Sequence, residues 1–370
     1  MEDNCIPDIN GEVVGLLMTY RCNLDCKYCY IRNKRNRDMP LSKAKAILEP
    51  FLLDEDSGWL DIMFVGAETL MAIDVIKPLV EWAESQSFKR KYRFCGSTNG
   101  TLLTDELKGW LSEHRSRVIL GLSYDGLPST QEENRGCNDI DLDFFIKTWP
   151  KQSIQMTIDV ESVRSMAEGV IYLLEKGAVV HPNVAFEDTE WTYEAIEEYA
   201  NQLNILAEYY NSHNDIPLIS QFIHNLKEYA DAIDAPKKQK QMCGAGHGYQ
   251  VFDVDGSSYP CHMISPLVLE GKKLERIKEG YFARIEVFSD TRCSTCLYTS
   301  SCPTCLACNY LYRDDFVRRD DTHCRIMQVE VQAFVKKEVL RLNAKEALTP
   351  EDATEVDAIA KLMEYWKKKR

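Results

Sequence analysis

The sequence predicts an α/β protein built on a parallel sheet, and three observations carry that expectation. Six short runs of β-branched and apolar residues read as strands: Glu12 to Tyr20, Leu60 to Gly66, Tyr92 to Gly96, Val118 to Ser123, Ile154 to Val160 and Val179 to Phe186. Five stretches of helical spacing lie between them, at Leu41 to Leu53, Ala72 to Ser85, Asp105 to His114, Ile140 to Trp149 and Ser162 to Lys176. Thr104 and Ser162 stand where side-chain caps are wanted. Strand-then-helix repetition needs crossover connections, and these set successive strands parallel. Beyond the sixth strand, Glu190 to Asn211 reads as a long amphipathic helix packed on the side of this core.

Composition narrows the function. A chain of 370 residues holds one large domain and a small one. Its formal net charge of -14 excludes the basic surface expected of a nucleic-acid binder and favours peptides or small molecules as partners. Met1 to Asn10 lacks the basic start and long apolar stretch of a secretion signal, and no run approaches membrane-spanning length, so a cytoplasmic protein is expected. Fourteen cysteines in such a chain point away from disulfides and toward metal ligation.

Three of those cysteines organise the chain. Cys22, Cys26 and Cys29 are spaced C-x3-C-x2-C in a polar loop directly after the first strand, with no further cysteine before Cys95. Structural zinc closes its tetrahedron with four protein ligands. A four-iron cluster gripped by only three thiolates leaves one iron open to a substrate or cofactor. Catalytic zinc would want a nearby His-and-Glu motif such as the H-x-E of nucleobase deaminases, and none is present. Free structural cysteines are normally scattered along apolar segments instead of clustered in a polar loop.

The spacing, with Tyr28 before the last cysteine and Tyr30 after it, resembles the radical S-adenosylmethionine (SAM) superfamily. The resemblance implies a partial (β/α)6 TIM-like barrel over about Glu12 to Tyr210, with the cysteine loop at the carboxyl ends of the strands, where βα barrels carry their active groups. The open iron would chelate the amino and carboxylate groups of SAM. Phe64 to Leu70 resembles the family's Gly-Gly-Glu-Pro motif, with Ala67 and Thr69 replacing the second Gly and the Pro, so Gly66, Ala67 and Glu68 are expected to contact the SAM amino group. Ser97-Thr98-Asn99-Gly100 and Ser123-Tyr124-Asp125-Gly126 close strands three and four. By the resemblance Ser97, Asn99 and Ser123 would serve the ribose and the methionine carboxylate, with Tyr28 also in the cofactor site; taken alone these are Gly-containing turns. Asp125 is expected to hold its own turn, and Arg135 reads as a surface charge.

A second group of cysteines follows: Cys243, Cys261, Cys293, Cys296, Cys302, Cys305, Cys308 and Cys324. The order C-x12-G-x4-C through Gly256, then C-x2-C-x5-C and a distant Cys, resembles the SPASM domain of radical SAM peptide-modifying enzymes, which binds two auxiliary four-iron clusters. The resemblance assigns Cys293, Cys296, Cys302 and Cys324 to one cluster, and Cys243 and Cys261 with further cysteines to the other. Relatives place the next Cys four residues after Cys302, where this chain has Leu306, so Cys305, Cys308 or both complete the set. A ferredoxin-like run from Cys302 lacks its fourth member, which would be Tyr312, and paired C-x2-C units also suit zinc ribbons. His247, His262 and His323 beside this group read as hydrogen-bonding residues, with His262 a candidate general base if neutral near pH 7.

The expected organisation is a radical SAM barrel over residues 1–235, an auxiliary-cluster domain over 236–330 and a helical tail over 331–370. The implied activity is reductive cleavage of SAM to a 5′-deoxyadenosyl radical, fed by an external donor such as flavodoxin or ferredoxin, followed by crosslinking, oxidation or epimerisation of a peptide residue in ribosomal peptide maturation. Relatives of that kind often carry an amino-terminal peptide-recognition domain; only about ten residues precede strand one here, so a separate recognition protein or the barrel mouth is expected to hold the peptide. The alternative within the superfamily is formylglycine formation on a sulfatase, whose enzymes typically have an acidic residue where this chain has His262. From other classes, a zinc-binding scaffold and an iron-sulfur electron carrier remain.

Overall fold

The computed structural model describes residues 12–185, 190–235, 241, 243–285 and 290–369. The elements begin β1 (Glu12–Thr19), α1 (Leu41–Leu53), β2 (Leu60–Gly66), α2 (Ile73–Ser85), β3 (Tyr92–Thr98), α3 (Asp105–Glu113) and β4 (Val118–Leu122). They continue with α4 (Pro128–Arg135), α5 (Leu142–Thr148), β5 (Ser153–Ile158), α6 (Met166–Glu175), β6 (Val179–Val184), α7 (Tyr193–Ser212) and α8 (Leu226–Asp234). Last come β7 (Tyr249–Phe252), β8 (Ser258–Tyr259), α9 (Gly271–Lys278), α10 (Leu306–Arg313), α11 (Asp321–Asn343) and α12 (Pro350–Lys369). The expected end of strand six at Phe186, the lead Met1 to Asn10 and the final Arg370 lie outside the described residues.

The chain packs as two units. The first comprises Met1–Met156, Lys176–Val179 and Gly244–Ile285; the second comprises Thr157–Glu175, Val180–Cys243 and Glu286–Arg370. In the first, the strand order is β4-β3-β2-β1-β7-β8, parallel throughout except for the β7–β8 hairpin. Beyond β4 the ladder continues through a parallel bridge between Ser123 and Gln155 and a Tyr124 N–H to Gln155 carbonyl bond of 2.9 Å. β5 and β6 pair as a separate two-stranded sheet. This is the α/β architecture with a parallel sheet that the alternation of runs predicts.

Position in the sheet explains composition. β1 lies between β2 and β7, and every residue from Val13 to Thr19 is buried, so it reads as a continuous apolar run instead of an alternating one. Phe64 of β2 and Phe94 of β3 stack with ring centroids 5.2 Å apart in the core. β7 was not anticipated from sequence, because four residues in a cysteine-rich stretch carry too short a pattern to register. Its hairpin turns at Gly256, whose φ of +92° is a conformation side chains resist.

Local signals held at some ends and not at others. Thr104 caps α3, its Oγ1 accepting from Leu107 N at 3.2 Å. Ser162 caps nothing with its side chain; its Oγ donates to Asp159 Oδ1 at 2.6 Å. The segment from Gln328 onward is two helices, and the first of them begins earlier, at Asp321, capped by Asp320. α7 begins after the cap Thr192 and packs against α11 and α6 within the second unit.

Also in the second unit, the phenol of Tyr229 lies 2.7 Å from His224 Nδ1, and burial lowers the His224 pKa to about 4. Between about pH 4 and 6.5 the unfolded chain therefore binds a proton that the folded chain refuses, so stability falls as pH falls through that window. Replacing His224 by Gln is expected to flatten the stability profile there by up to about 1.4 kcal/mol per pH unit, read from urea unfolding at a series of pH values. In the first unit, Phe94→Ala is expected to cost about 3–5 kcal/mol in the same measurement, because it leaves a cavity against Phe64.

Candidate functional site

The cysteine loop follows β1 at the carboxyl ends of the parallel strands, where the expectation placed it. Residues 21–35 form no regular element, so the loop depends on side chains from neighbouring strand ends for its shape. Its three thiols are half-buried and electrostatically coupled: a negative charge on Cys29 raises the pKa of Cys22 and of Cys26. Burial pushes the Cys26 thiol up to about 11, opposed mainly by the Arg135 guanidinium, and pushes Cys22 up as well. The Leu24 amide donates to Cys22 Sγ at 3.4 Å. Lys34 is held by the Leu24 carbonyl at 2.8 Å and Asp25 at 2.9 Å, and its charge favours the Cys22 thiolate.

Two buried carboxylates position this loop. Glu68 is 2 % exposed, contrary to a solvated loop residue, and accepts from Leu70 N at 3.0 Å, Thr98 Oγ1 at 2.7 Å and Asn99 N at 2.8 Å. A carboxylate has about four acceptor sites, so room for one further donor remains. The Asn99 side-chain amide donates to Asn23 Oδ1 at 3.0 Å, and Asn23 donates to Thr101 Oγ1 at 2.7 Å, which ties the end of β3 to the loop between Cys22 and Cys26.

Asp125 is the second carboxylate, and it does more than hold its turn. It accepts two bonds from Arg135, Nε at 3.0 Å and Nη2 at 2.9 Å, and one from the Tyr28 hydroxyl. Arg135 also sits over the Tyr28 ring, 5.4 Å from its centroid. Its reading as a surface charge is corrected: it is buried in an ion pair, at the end of α4, a helix the sequence reading did not assign. Pro128 at the start of α4 and Gly136 just past its end were the available signals.

The other expected contacts fall into place unevenly. Gly66 is dictated by packing: a Cβ there would lie 2.9 Å from the Thr19 carbonyl. The Ala67 and Glu68 amides donate to the Thr19 and Arg21 carbonyls, so an ammonium at this loop would need carbonyl oxygens. Ser97 is exposed, while its neighbour Thr98, not singled out from sequence, is the residue bonded to Glu68. Ser123 is half-buried at the end of β4, its amide donating to the Thr98 carbonyl at 2.9 Å.

His262 lies in the first unit near Tyr249, whose hydroxyl is 3.1 Å from Nδ1, with Cys261 Sγ 3.8 Å from the same nitrogen. Burial lowers its pKa to about 4. It is therefore neutral at pH 7, as a base must be, yet binds a proton too weakly to be an efficient one.

In the second unit, four thiols come together. Those of Cys293, Cys296, Cys302 and Cys324 influence one another electrostatically, and burial pushes Cys302 up to about 12. Arg319, 3 % exposed, donates from Nη1 to Cys302 Sγ at 3.0 Å, and His323 Nε2 lies 3.5 Å from that sulfur. Cys305 caps α10, its Sγ accepting from Cys308 N at 3.4 Å. Cys243 ends a segment of the second unit, whereas Cys261 belongs to the first. Against the expectation that the cysteines avoid disulfides, Cys95 in β3 is disulfide-bonded, while the other twelve described cysteines are not.

Among the described residues no three His, Cys, Asp or Glu side chains converge tightly enough for a single metal ion. A four-iron cube asks for something else, since each thiolate takes its own corner. A three-thiol loop flanked by Lys34 and Arg135, and a four-thiol group facing Arg319, both suit an anionic cluster. Asp125→Ala, which strands the buried Arg135 charge beside Tyr28 and Cys26, is expected to lower stability by about 3–5 kcal/mol in denaturant unfolding, against no measurable change for the exposed Asp25→Ala.

Comparison with known proteins agrees with this geometry. Residues 16–133 match the model of the radical SAM superfamily. An uncharacterized protein of Methanocaldococcus jannaschii is 34% identical over 112 residues, 30% of this chain and 38% of that protein. The serine-type anaerobic sulfatase-maturating enzyme of Bacteroides thetaiotaomicron is 33% identical over 128 residues, 31% of this chain and 29% of that enzyme. The matches thus span well under half the length of these curated relatives. In fold, the chain resembles native anSMEcpe solved with bound AdoMet, at TM-score 0.65 and 19% identity over 90% of this chain and 100% of that one. It also resembles Streptococcus suis SuiB solved with its precursor peptide SuiA, at TM-score 0.60 and 16% identity over 85% and 76%. Residues 16–133 thus match the radical SAM superfamily, and the chain shares the fold of anSMEcpe and SuiB.

Proposed function

We infer that this protein is a radical SAM enzyme that modifies a residue of a peptide. The observation that carries the reading is the three-thiol loop at the carboxyl ends of a parallel sheet, inside the segment that matches the superfamily. Cys22, Cys26 and Cys29 would hold a four-iron cluster with one iron open to SAM. When bound, that pair supplies a 5′-deoxyadenosyl radical able to take hydrogen from an unactivated carbon, which no side chain can do.

The protein's part is placement. Glu68, with an acceptor site to spare, and the carbonyls of Gly66 and Ala67 suit the SAM ammonium; Asn99, Ser97 and Ser123 stand at strand ends suited to its carboxylate and ribose. The Asp125–Arg135 pair fixes Tyr28 beside the last cysteine of the loop. Cys293, Cys296, Cys302 and Cys324 would hold an auxiliary cluster. Such clusters offer a sink for the surplus electron when the product is oxidised.

A peptide substrate is supported by SuiB, solved with its precursor peptide, and by anSMEcpe, solved with the Cp18Cys peptide. Ribosomal peptide maturation is favoured over sulfatase maturation because this chain has His262 where sulfatase-maturating relatives typically carry an acidic residue. The reductant would be a one-electron donor such as flavodoxin or ferredoxin, and a separate recognition protein could present the peptide. Among the described residues no helix is long and apolar enough to cross a membrane. In sequence terms the barrel would run to about residue 235, with the auxiliary-cluster domain over 236–330 and the helical tail beyond.

Anaerobic reconstitution is expected to load iron and sulfide together, and dithionite with SAM to yield 5′-deoxyadenosine, quantified by liquid chromatography. Cys26→Ala should abolish that product. Zinc without sulfide in the purified protein, or iron with no SAM cleavage, would instead support the scaffold or the electron carrier.

A further inference from the structure

The side chain of Arg319 presents an electrostatic problem that the protein alone does not solve. The residue is 3 % exposed, and its guanidinium reaches Cys302 Sγ at 3.0 Å. Its Nε and Nη2 are buried without a hydrogen-bond partner, and no carboxylate pairs with it among the described residues. Its main chain is nonetheless clamped. The Arg319 amide donates to Asp290 Oδ2 at 3.1 Å, and its carbonyl accepts from Arg292 Nη2 at 2.7 Å. Arg292 in turn is held by Asp290 at 2.8 Å and by Asp321. The carboxylate of Asp290, which takes the Arg319 amide, is thus spent on Arg292 and on backbone.

A buried guanidinium with no countercharge is strongly disfavoured. The arrangement makes sense if the four sulfurs around it carry negative charge, as thiolates on an iron-sulfur cluster do. We propose that Arg319 is the charge partner of an auxiliary cluster held by Cys293, Cys296, Cys302 and Cys324, and that its guanidinium raises the reduction potential of that cluster. The inference rests on the auxiliary-cluster reading above. The sign follows from charge: one-electron reduction adds one negative charge to the cluster, and a fixed cation with donors aimed at it stabilises the reduced form more than the oxidised. Arg319 is a positioning residue in this role, acting on the reaction only through the cluster.

The test uses the full chain carrying Cys22→Ala, Cys26→Ala and Cys29→Ala, so that only auxiliary clusters are loaded. It is titrated with dithionite against redox mediators and read by electron paramagnetic resonance. The signal of interest is the one lost on adding Cys324→Ala. Arg319→Gln is expected to shift the redox equilibrium at least tenfold toward the oxidised form, about 59 mV for one electron. Arg319→Lys, which keeps the charge, should shift it less than threefold.

An unchanged midpoint in Arg319→Gln at full iron content overturns the inference. If Arg319→Gln loses this cluster while Arg319→Lys keeps it, the charge pairing is supported; if both lose it, Arg319 serves the polypeptide and not the cluster, and the inference fails. Absence of any iron in the triple-Ala parent overturns the auxiliary-cluster reading itself, a result distinct from iron that is present with an unshifted midpoint.

Discussion

The site depends on two carboxylates buried at the ends of parallel strands. Glu68 and Asp125 are 2 % and 0 % exposed, and a carboxylate out of water is tolerated only when hydrogen bonds and countercharge replace its hydration. Their donors come from different places along the chain. Glu68 gathers the end of β3 through Thr98 and Asn99, and Asn99 reaches on to Asn23. Asp125 gathers α4 through Arg135 and the cysteine loop through Tyr28. A loop with no regular backbone pairing of its own thus has one arrangement, because any other would leave buried charge unmet.

The two thiol groups differ in how their cations are used. Beside the amino-terminal loop, Lys34 and Arg135 each have a carboxylate, Asp25 and Asp125, so their charges are already balanced within the protein. Beside the carboxyl-terminal group, Arg319 has none among the described residues. Burial raises Cys26 to about 11 and Cys302 to about 12, so in the protein alone both thiols hold their protons at neutral pH. A metal bound at either place would therefore displace protons, and its binding would depend on pH.

Much of the architecture was legible before the coordinates. The alternation of apolar runs marked β1 to β6, because strand and helix periods are written in near neighbours, and Thr104 announced the start of α3. The cysteine loop was legible for the same reason, its three thiols lying within eight positions. β7 was missed, being too short to show a period, although it lies beside β1 in the sheet. Thr98 was passed over for Ser97, since nothing local tells which of two adjacent hydroxyls turns inward. Arg135 looked like solvent-facing charge because its partner lies ten positions back, across a turn and a helix.

By itself, then, the sequence determined what short-range order can encode: strands, most helices, the spacing of the thiols and the chemistry three thiols can support. The tertiary structure decided which charges meet. Tyr28 and Asp125 are 97 positions apart and Asn23 and Asn99 are 76, and no pattern within a window links them. Only when parallel pairing lines up the strand ends do these groups come within bonding distance, and only burial there makes each of those bonds obligatory.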